Sequence, residues 1–139
     1  MIKIRSVKKE DKEVLVKLFT QLTKGENNFD LEMILSDNSC RCIVLEDNDT
    51  VIGSATLSIY SSSVKGRVGV VEDVIVDKNY RGKGLGRSLM DELIKIGEKE
   101  NLTYITLTSN PKREAARNLY QSLGFELYDT GFFKLNLKK

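Results

Sequence analysis

Hydrophobic positions change period several times along the chain, and each change marks an element. Ile2 and Ile4 alternate with Lys3 and Arg5, which predicts a half-buried strand. Over residues 9–24, Val14, Leu15, Leu18, Phe19 and Leu22 recur at helical spacing, and Gly25 supplies the stop. A shorter helix is expected over 30–35. Residues 41–46 and 50–60 predict two strands joined by a turn at Asp47-Asn48-Asp49, and the serine-rich 61–66 predicts a loop. The most strand-like stretch is 68–76, with six valines or isoleucines in nine residues.

A glycine-rich turn over 79–86 follows, then a helix with the apolar stripe Leu85, Leu89, Leu93 and Ile96. Residues 103–108 favour a strand. Asn110 before Pro111 has the form of a helix cap followed by proline at the first helical position. That helix groups Ala116, Leu119, Tyr120 and Leu123 on one face and is expected to end at Gly124 in the left-handed conformation. Residues 125–128 and 132–137 predict a terminal hairpin. No repeat, linker or low-complexity break interrupts the pattern, so one α/β domain is expected over residues 1–139.

Composition narrows the chemistry. The chain has 139 residues, 40% hydrophobic and 30% charged, which is enough for a core without disulfides or a structural metal. A net charge of +2 gives no electrostatic reason to expect nucleic acid or membrane as a partner. There is no histidine, so mechanisms built on a histidine base or ligand are excluded. Cys40 and Cys42 share a strand face, but a lone C-x-C pair without histidine cannot complete a zinc site, and no metal is expected. They read as small buried hydrophobes in a reducing compartment. The N-terminus lacks the apolar core of a secretion signal, and no apolar run has membrane-spanning length, which together predict a cytoplasmic protein.

Candidate chemistry gathers at the strand–loop–helix unit over 68–100. Gly82, Gly84 and Gly86 stand immediately before a helix, where bare backbone N–H groups and the helix dipole favour an anion. Arg81, Lys83 and Arg87 surround the same spot, so a phosphate or pyrophosphate is the natural ligand, although a tight basic turn would look similar. The P-loop string is absent, and the dinucleotide fingerprint fails at Arg87 and Leu89. The preceding Val74, Ile75 and Val76 could pair with an extended amide-bearing ligand as if with another strand.

Val71-Glu72-Asp73-Val74-Ile75-Val76-Asp77 followed by Tyr80-Arg81-Gly82-Lys83-Gly84-Leu85-Gly86 strongly resembles motif A of the GNAT superfamily of acetyl-CoA-dependent N-acetyltransferases. Ala116, Leu119-Tyr120 and Gly124-Phe125 resemble its motif B, and the element order is similar across nearly the whole chain. The resemblance implies a GNAT-type α/β fold. Its largely antiparallel mixed sheet would have about six to seven strands, splayed between the fourth and fifth, with about four flanking helices. It implies that the pyrophosphate of acetyl-CoA lies on residues 81–87, including Leu85, and that pantetheine pairs with the backbone of Val74, Ile75 and Val76. Members often carry an asparagine seven residues before the motif B tyrosine. Arg113 occupies that position here, with Asn110 as the substitute candidate.

Acetyl transfer needs a neutral amine, donors for the developing oxyanion, and a proton for the departing thiolate. Tyr120 matches the family tyrosine that often supplies the proton, while its ring would also complete the apolar face of its helix. Glu72 and Asp73 interrupt an otherwise aliphatic strand. Alternation puts Glu72 with Val70 and Val74, and Asp73 with Val71 and Ile75. Glu72 is the candidate base, since several members use a glutamate hereabouts.

The resulting expectation is direct attack by a primary amine of a small molecule or peptide within a ternary complex. The Glu-Asp pattern resembles amino-sugar-phosphate acetyltransferases, but similar strands occur in members acting on aminoglycosides, polyamines or protein amines. A CoA-binding sensing module without turnover is the alternative. A nucleic-acid contact at 78–87 is disfavoured by the balanced charge and the lack of interleaved aromatics beyond Tyr80. A homodimer is left open.

Overall fold

The computed structural model describes residues 1–23 and 28–138, so the expected helix end at Lys24 and stop at Gly25 lie outside the described residues. The chain falls into two compact units, Met1–Leu107 and Thr108–Lys139.

The first unit is built on a sheet in the order β1-β2-β3-β4-β5. Its strands are β1 (Ile2–Ser6), β2 (Cys40–Asp47), β3 (Thr50–Ser62), β4 (Gly66–Val76) and β5 (Ile105–Thr106). The first four are antiparallel neighbours, whereas β5 runs parallel to β4. The β2–β3 turn forms where expected, with Asn48 and Asp49 at φ 48° and 70°, a left-handed pair that these two residue types tolerate. The serine-rich loop is shorter than the sequence suggested. Ser61 and Ser62 pair with Arg67 and Gly66, because the long β3–β4 ladder carries its hydrogen bonding almost to the tip.

Helix α1 (Lys12–Phe19) follows a 3-10 turn at Lys9–Asp11, so the helical segment begins with a tighter turn and ends before Thr20. Its Leu15, Leu18 and Phe19 pack with Val44, Val51 and Ile75 on one face of the sheet. Helix α2 (Leu31–Ser36) is capped by the Asp30 carboxylate, which accepts from the Met33 N–H at 3.2 Å. Helix α3 (Leu85–Lys99) buries Leu89, Met90 and Leu93 and packs on the opposite face. It approaches β5 closely: a Cβ at Gly97 would stand 2.7 Å from Ile105 Cδ1.

An ion cluster ties β1, β2 and the start of α1 together. The Arg5 guanidinium donates two parallel bonds to the Asp11 carboxylate, both 2.9 Å, and its Nε donates to Glu46 at 3.1 Å. Asp11 also accepts the Lys8 N–H at 2.8 Å. The hydrogen bonds from Arg5 hold the Asp11 carboxyl below its ordinary range.

In the second unit, α4 (Glu114–Ser122) begins three residues later than the Asn110-Pro111 cap predicts. The Asn110 carbonyl of the side chain accepts from the Lys112 N–H at 2.9 Å, and its main-chain carbonyl accepts from Arg113 at 3.0 Å, which closes a turn ahead of the helix. The far end forms as expected: Gly124 has φ 101°, its N–H donates to Gln121, and the Phe125 N–H donates to Tyr120.

Two expectations fail. The strand read over 103–108 pairs at Ile105 and Thr106 only, and no terminal hairpin forms over 125–138. Among the described residues the sheet therefore has five strands rather than six or seven. Alternation shows that a segment can be extended, but a strand also needs a partner edge for its N–H and C=O groups. Leu127, Phe132, Phe133, Leu135 and Leu137 are exposed.

Arg5→Met leaves Asp11 and Glu46 as half-paired carboxylates and should lower the unfolding free energy by about 3 kcal/mol near neutral pH. Because the folded Asp11 pKa is depressed, its stabilisation is full above the unfolded value of about 3.9 and is lost as pH falls through the folded value. Urea titrations of both proteins should therefore converge on acidification. A gap that stays constant from neutral to acid pH would refute the assignment.

Candidate active site

β4 is not a regular strand. Thr56 pairs with Glu72 and Ser54 with Ile75, so two residues of β4, Asp73 and Val74, stand opposite Ala55 alone. Asp73 takes φ 53° at this bulge, a left-handed backbone that aspartate tolerates better than β-branched residues do. The extra residue overturns simple alternation. Ile75 lies on the face of Glu72 and reaches the α1 core, on the face opposite Val71.

The bulge also coincides with a change in pairing. β5 contacts β4 at Gly69 and Val70 and goes no further, so from Val71 onward the described ladder of β4 is with β3. Val74, Ile75 and Val76 thus lie beyond the β4–β5 pairing. Glu72 and Asp73 stand at its edge, solvent-reachable yet partly desolvated. Burial raises both carboxyl pKa values, and the charge of Asp73 raises that of Glu72 further.

β4 runs directly into the basic loop. Asp77 caps a 3-10 turn at Lys78–Tyr80, accepting from the Asn79 N–H at 2.9 Å. Gln21 fastens this turn to the end of α1, donating to Asp77 at 3.1 Å and accepting from the Lys78 N–H at 3.0 Å. Gly82 and Gly84 then take φ 79° and 78°, and a Cβ at either would meet nothing within 4 Å. Glycine is required here by backbone conformation, and the bare loop stays open to a ligand. Gly84 caps the N-terminus of α3, with Leu85 and Gly86 in its first turn, so N–H groups and dipole face the loop.

The three cations play different parts. Arg81 Nε donates to the Val76 carbonyl at 3.0 Å, which fixes the guanidinium stem against the end of β4. Lys83 Nζ stands 5.3 Å from the centre of the Tyr80 ring. Arg87 is exposed on the first turn of α3.

In the second unit, Tyr120 is the buried residue of α4, and its ring meets Phe125 edge-on at 6.2 Å. Burial raises the phenol pKa, opposed by the nearby positive charge of Arg113. The structure thus brings Glu72, Asp73, the strand 74–76 and the loop 81–87 together in one unit, with Asn110 and Tyr120 in the other. Sequence reasoning missed the bulge; an aspartate inside a run of β-branched residues was its signal.

A sheet whose β4–β5 pairing stops at Val70, feeding an open glycine loop at a helix N-terminus, defines a mixed α/β protein. The model of the acetyltransferase (GNAT) family matches residues 6–125, and the chain belongs to that family. It is 36% identical over 81 residues to a glucosamine 6-phosphate N-acetyltransferase of Trypanosoma brucei brucei, covering 57% of this chain and 53% of that protein. It is 34% identical over 89 residues to an L-2,4-diaminobutyric acid acetyltransferase of Halalkalibacterium halodurans, covering 64% and 46% respectively. The chain spans about half the length of these curated relatives. Among solved structures, an aminoglycoside N-acetyltransferase in complex with CoA has a TM-score of 0.86 at 23% identity, covering 99% of this chain and 96% of that one.

The left-handed Asp73 generates a direct test. Asp73→Gly and Asp73→Asn should fold with little loss, whereas Asp73→Val should be less stable than Asp73→Gly by about 1–2 kcal/mol. Equal midpoints for the valine and glycine variants in urea would mean that the bulge is not maintained in solution.

Proposed function

We propose that this chain is an acetyl-CoA-dependent N-acetyltransferase that acetylates a primary amine by direct attack in a ternary complex. The observation that carries this reading is the continuity of bulged strand, left-handed glycine loop and helix N-terminus in one unit. The match of the family model across residues of both units supports a single acetyltransferase domain. The amine substrates named for the relatives support a small-molecule acceptor.

In this reading the N–H groups of Gly82, Lys83, Gly84, Leu85, Gly86 and Arg87, with the side chains of Arg81, Lys83 and Arg87, hold the pyrophosphate of acetyl-CoA. The main chain of Val74, Ile75 and Val76 offers strand-like hydrogen bonds to its pantetheine arm, and Asn110 is the further amide-binding candidate. When bound, acetyl-CoA supplies the thioester. Glu72, directly or through a water, takes the proton that the amine sheds as the C–N bond forms. Main-chain N–H groups beside the bulge stabilise the charge on the carbonyl oxygen. Tyr120 gives its phenolic proton to the sulfur as the C–S bond breaks. No step calls for a metal.

Acetyl-CoA at a hundred times its dissociation constant should stabilise the fold by about 2.7 kcal/mol, with far less from ATP at the same concentration. A larger gain from ATP would reassign the loop to another nucleotide.

Turnover, followed by thiol release, tests the side-chain roles. Glu72→Gln should lower kcat roughly 10²–10⁴-fold near neutral pH while acetyl-CoA affinity holds. The wild-type rate should rise as pH climbs through a Glu72 pKa above the ordinary value of about 4.3, and the variant should recover in part when alkali neutralises the amine. Tyr120→Phe keeps the ring against Phe125, so a similar loss of kcat with stability within about 1.5 kcal/mol would mark the hydroxyl as the proton donor. A folded variant with undiminished kcat removes that residue from the mechanism. A wild-type protein that binds acetyl-CoA but releases no thiol with any amine would favour the sensing module.

A further inference from the structure

Strand register assembles a polar floor next to Glu72. Cys42, Thr56 and Glu72 form one row across β2, β3 and β4, and Cys40, Ser58 and Val70 form the next, with Tyr60 one step beyond Ser58 on the same face. This is the face that α1 covers at its other end, through Val44, Val51 and Ile75. Past that cover the floor opens: Cys42 and Thr56 are buried, Cys40 and Ser58 are half-buried, and Tyr60 is 50% exposed. Its exposed polar groups are thus hydroxyls, a thiol and the Glu72 carboxylate, with Asp73 adjoining.

The cations of the strands are all engaged elsewhere. The five strands contain four basic residues, Lys3, Arg5, Arg41 and Arg67. Lys3 stands 3.6 Å from Glu46, and Arg5 is held by Asp11 and Glu46. Arg41 and Arg67 both reach Glu100 beyond α3, at 2.8 and 3.4 Å. A phosphate or carboxylate brought beside Glu72 would therefore meet like charge and no strand cation free of a carboxylate. An ammonium would meet the opposite.

We propose that the acceptor is a di- or polyamine bearing neither phosphate nor carboxylate, whose second ammonium is held by Asp73 beside Glu72 over the Thr56–Ser58–Tyr60 floor. This rests on the acetyltransferase reading and sets the chain apart from the relatives whose named substrates carry an anionic group. Two adjacent carboxylates suit such a molecule, because one can take the proton of the reacting amine while the other pairs with the end that stays charged.

The experiment compares kcat/KM, from thiol release, within two matched pairs: 1,4-diaminobutane against butylamine, and glucosamine against glucosamine 6-phosphate. The diamine should exceed the monoamine by roughly tenfold, and the phosphate should cost glucosamine roughly tenfold, each the equivalent of one ion-pair difference. Salt at 0.5 M should erode the diamine's advantage. Asp73→Asn keeps the left-handed backbone accessible, so it should raise KM for the diamine roughly fivefold more than KM for butylamine and so erase most of the diamine's advantage in kcat/KM. Ser58→Lys, a cation placed on the floor, should shift preference toward glucosamine 6-phosphate. Preference of the wild type for the phosphorylated sugar, or equal rates for diamine and monoamine, would overturn the proposal and leave acetyl transfer standing. Thiol release with none of the four amines would overturn acetyl transfer, and the acceptor assignment with it.

Discussion

The extra residue in β4 is the constraint on which the rest of this site depends. Without it, Ile75 would change faces, and the α1 core of Leu15, Leu18 and Phe19 would lose an aliphatic partner. With it, Glu72 and Ile75 occupy one face although three positions separate them, so the strand can be core at its end and chemical at its middle. The local cost is a non-glycine residue at φ 53°, and aspartate is among the few residue types for which that cost is small. One side chain thereby satisfies the backbone and adds a carboxylate next to Glu72.

Charge is distributed with the same economy. The sheet's own cations are consumed by Asp11, Glu46 and Glu100, all away from the Glu72 floor, while Arg81 and Lys83 lie on the loop after β4 and Arg87 on the first turn of α3. Positive and negative surfaces therefore meet end to end along a single strand–loop–helix unit. An anionic cosubstrate and a cationic acceptor would be drawn to opposite ends of it, which keeps each from the other's place.

Much of this was legible from sequence because it depends on local rules. Glycines at 82 and 84 announce left-handed backbone, the leucine stripe of α3 announces its buried face, and Asn48-Asp49 announces a hairpin. Non-local facts were not legible. Period-2 reading assigned Asp73 and Ile75 to one face because a bulge leaves no mark in alternation. Asn110 was read as a helix cap, but its side chain closes the turn before Arg113 instead. The alternating residues of 125–138 looked like strands, yet whether such a segment pairs is decided by an available edge rather than by its own pattern. The Arg5–Asp11–Glu46 cluster joins residues up to 41 positions apart, and nothing in the local sequence of any of them declares the others.

Arg81 illustrates how folding and binding share a residue at this junction. Its Nε is committed to the Val76 carbonyl, the last acceptor of β4, so the side chain cannot swing away from the strand end without breaking a bond. A guanidinium has further N–H donors beyond Nε, and these remain chemically suited to a phosphate while the stem is anchored. A lysine at this position would have to gather carbonyl and anion around one nitrogen, whereas the guanidinium holds the two contacts on separate nitrogens in a fixed plane. The position of the Arg81 cation is thereby coupled to the path of the strand that carries Glu72: a shift of Val76 moves the cation, and a ligand that held the cation would steady Val76. The same 3.0 Å bond that ends the strand thus orients the entrance to the loop.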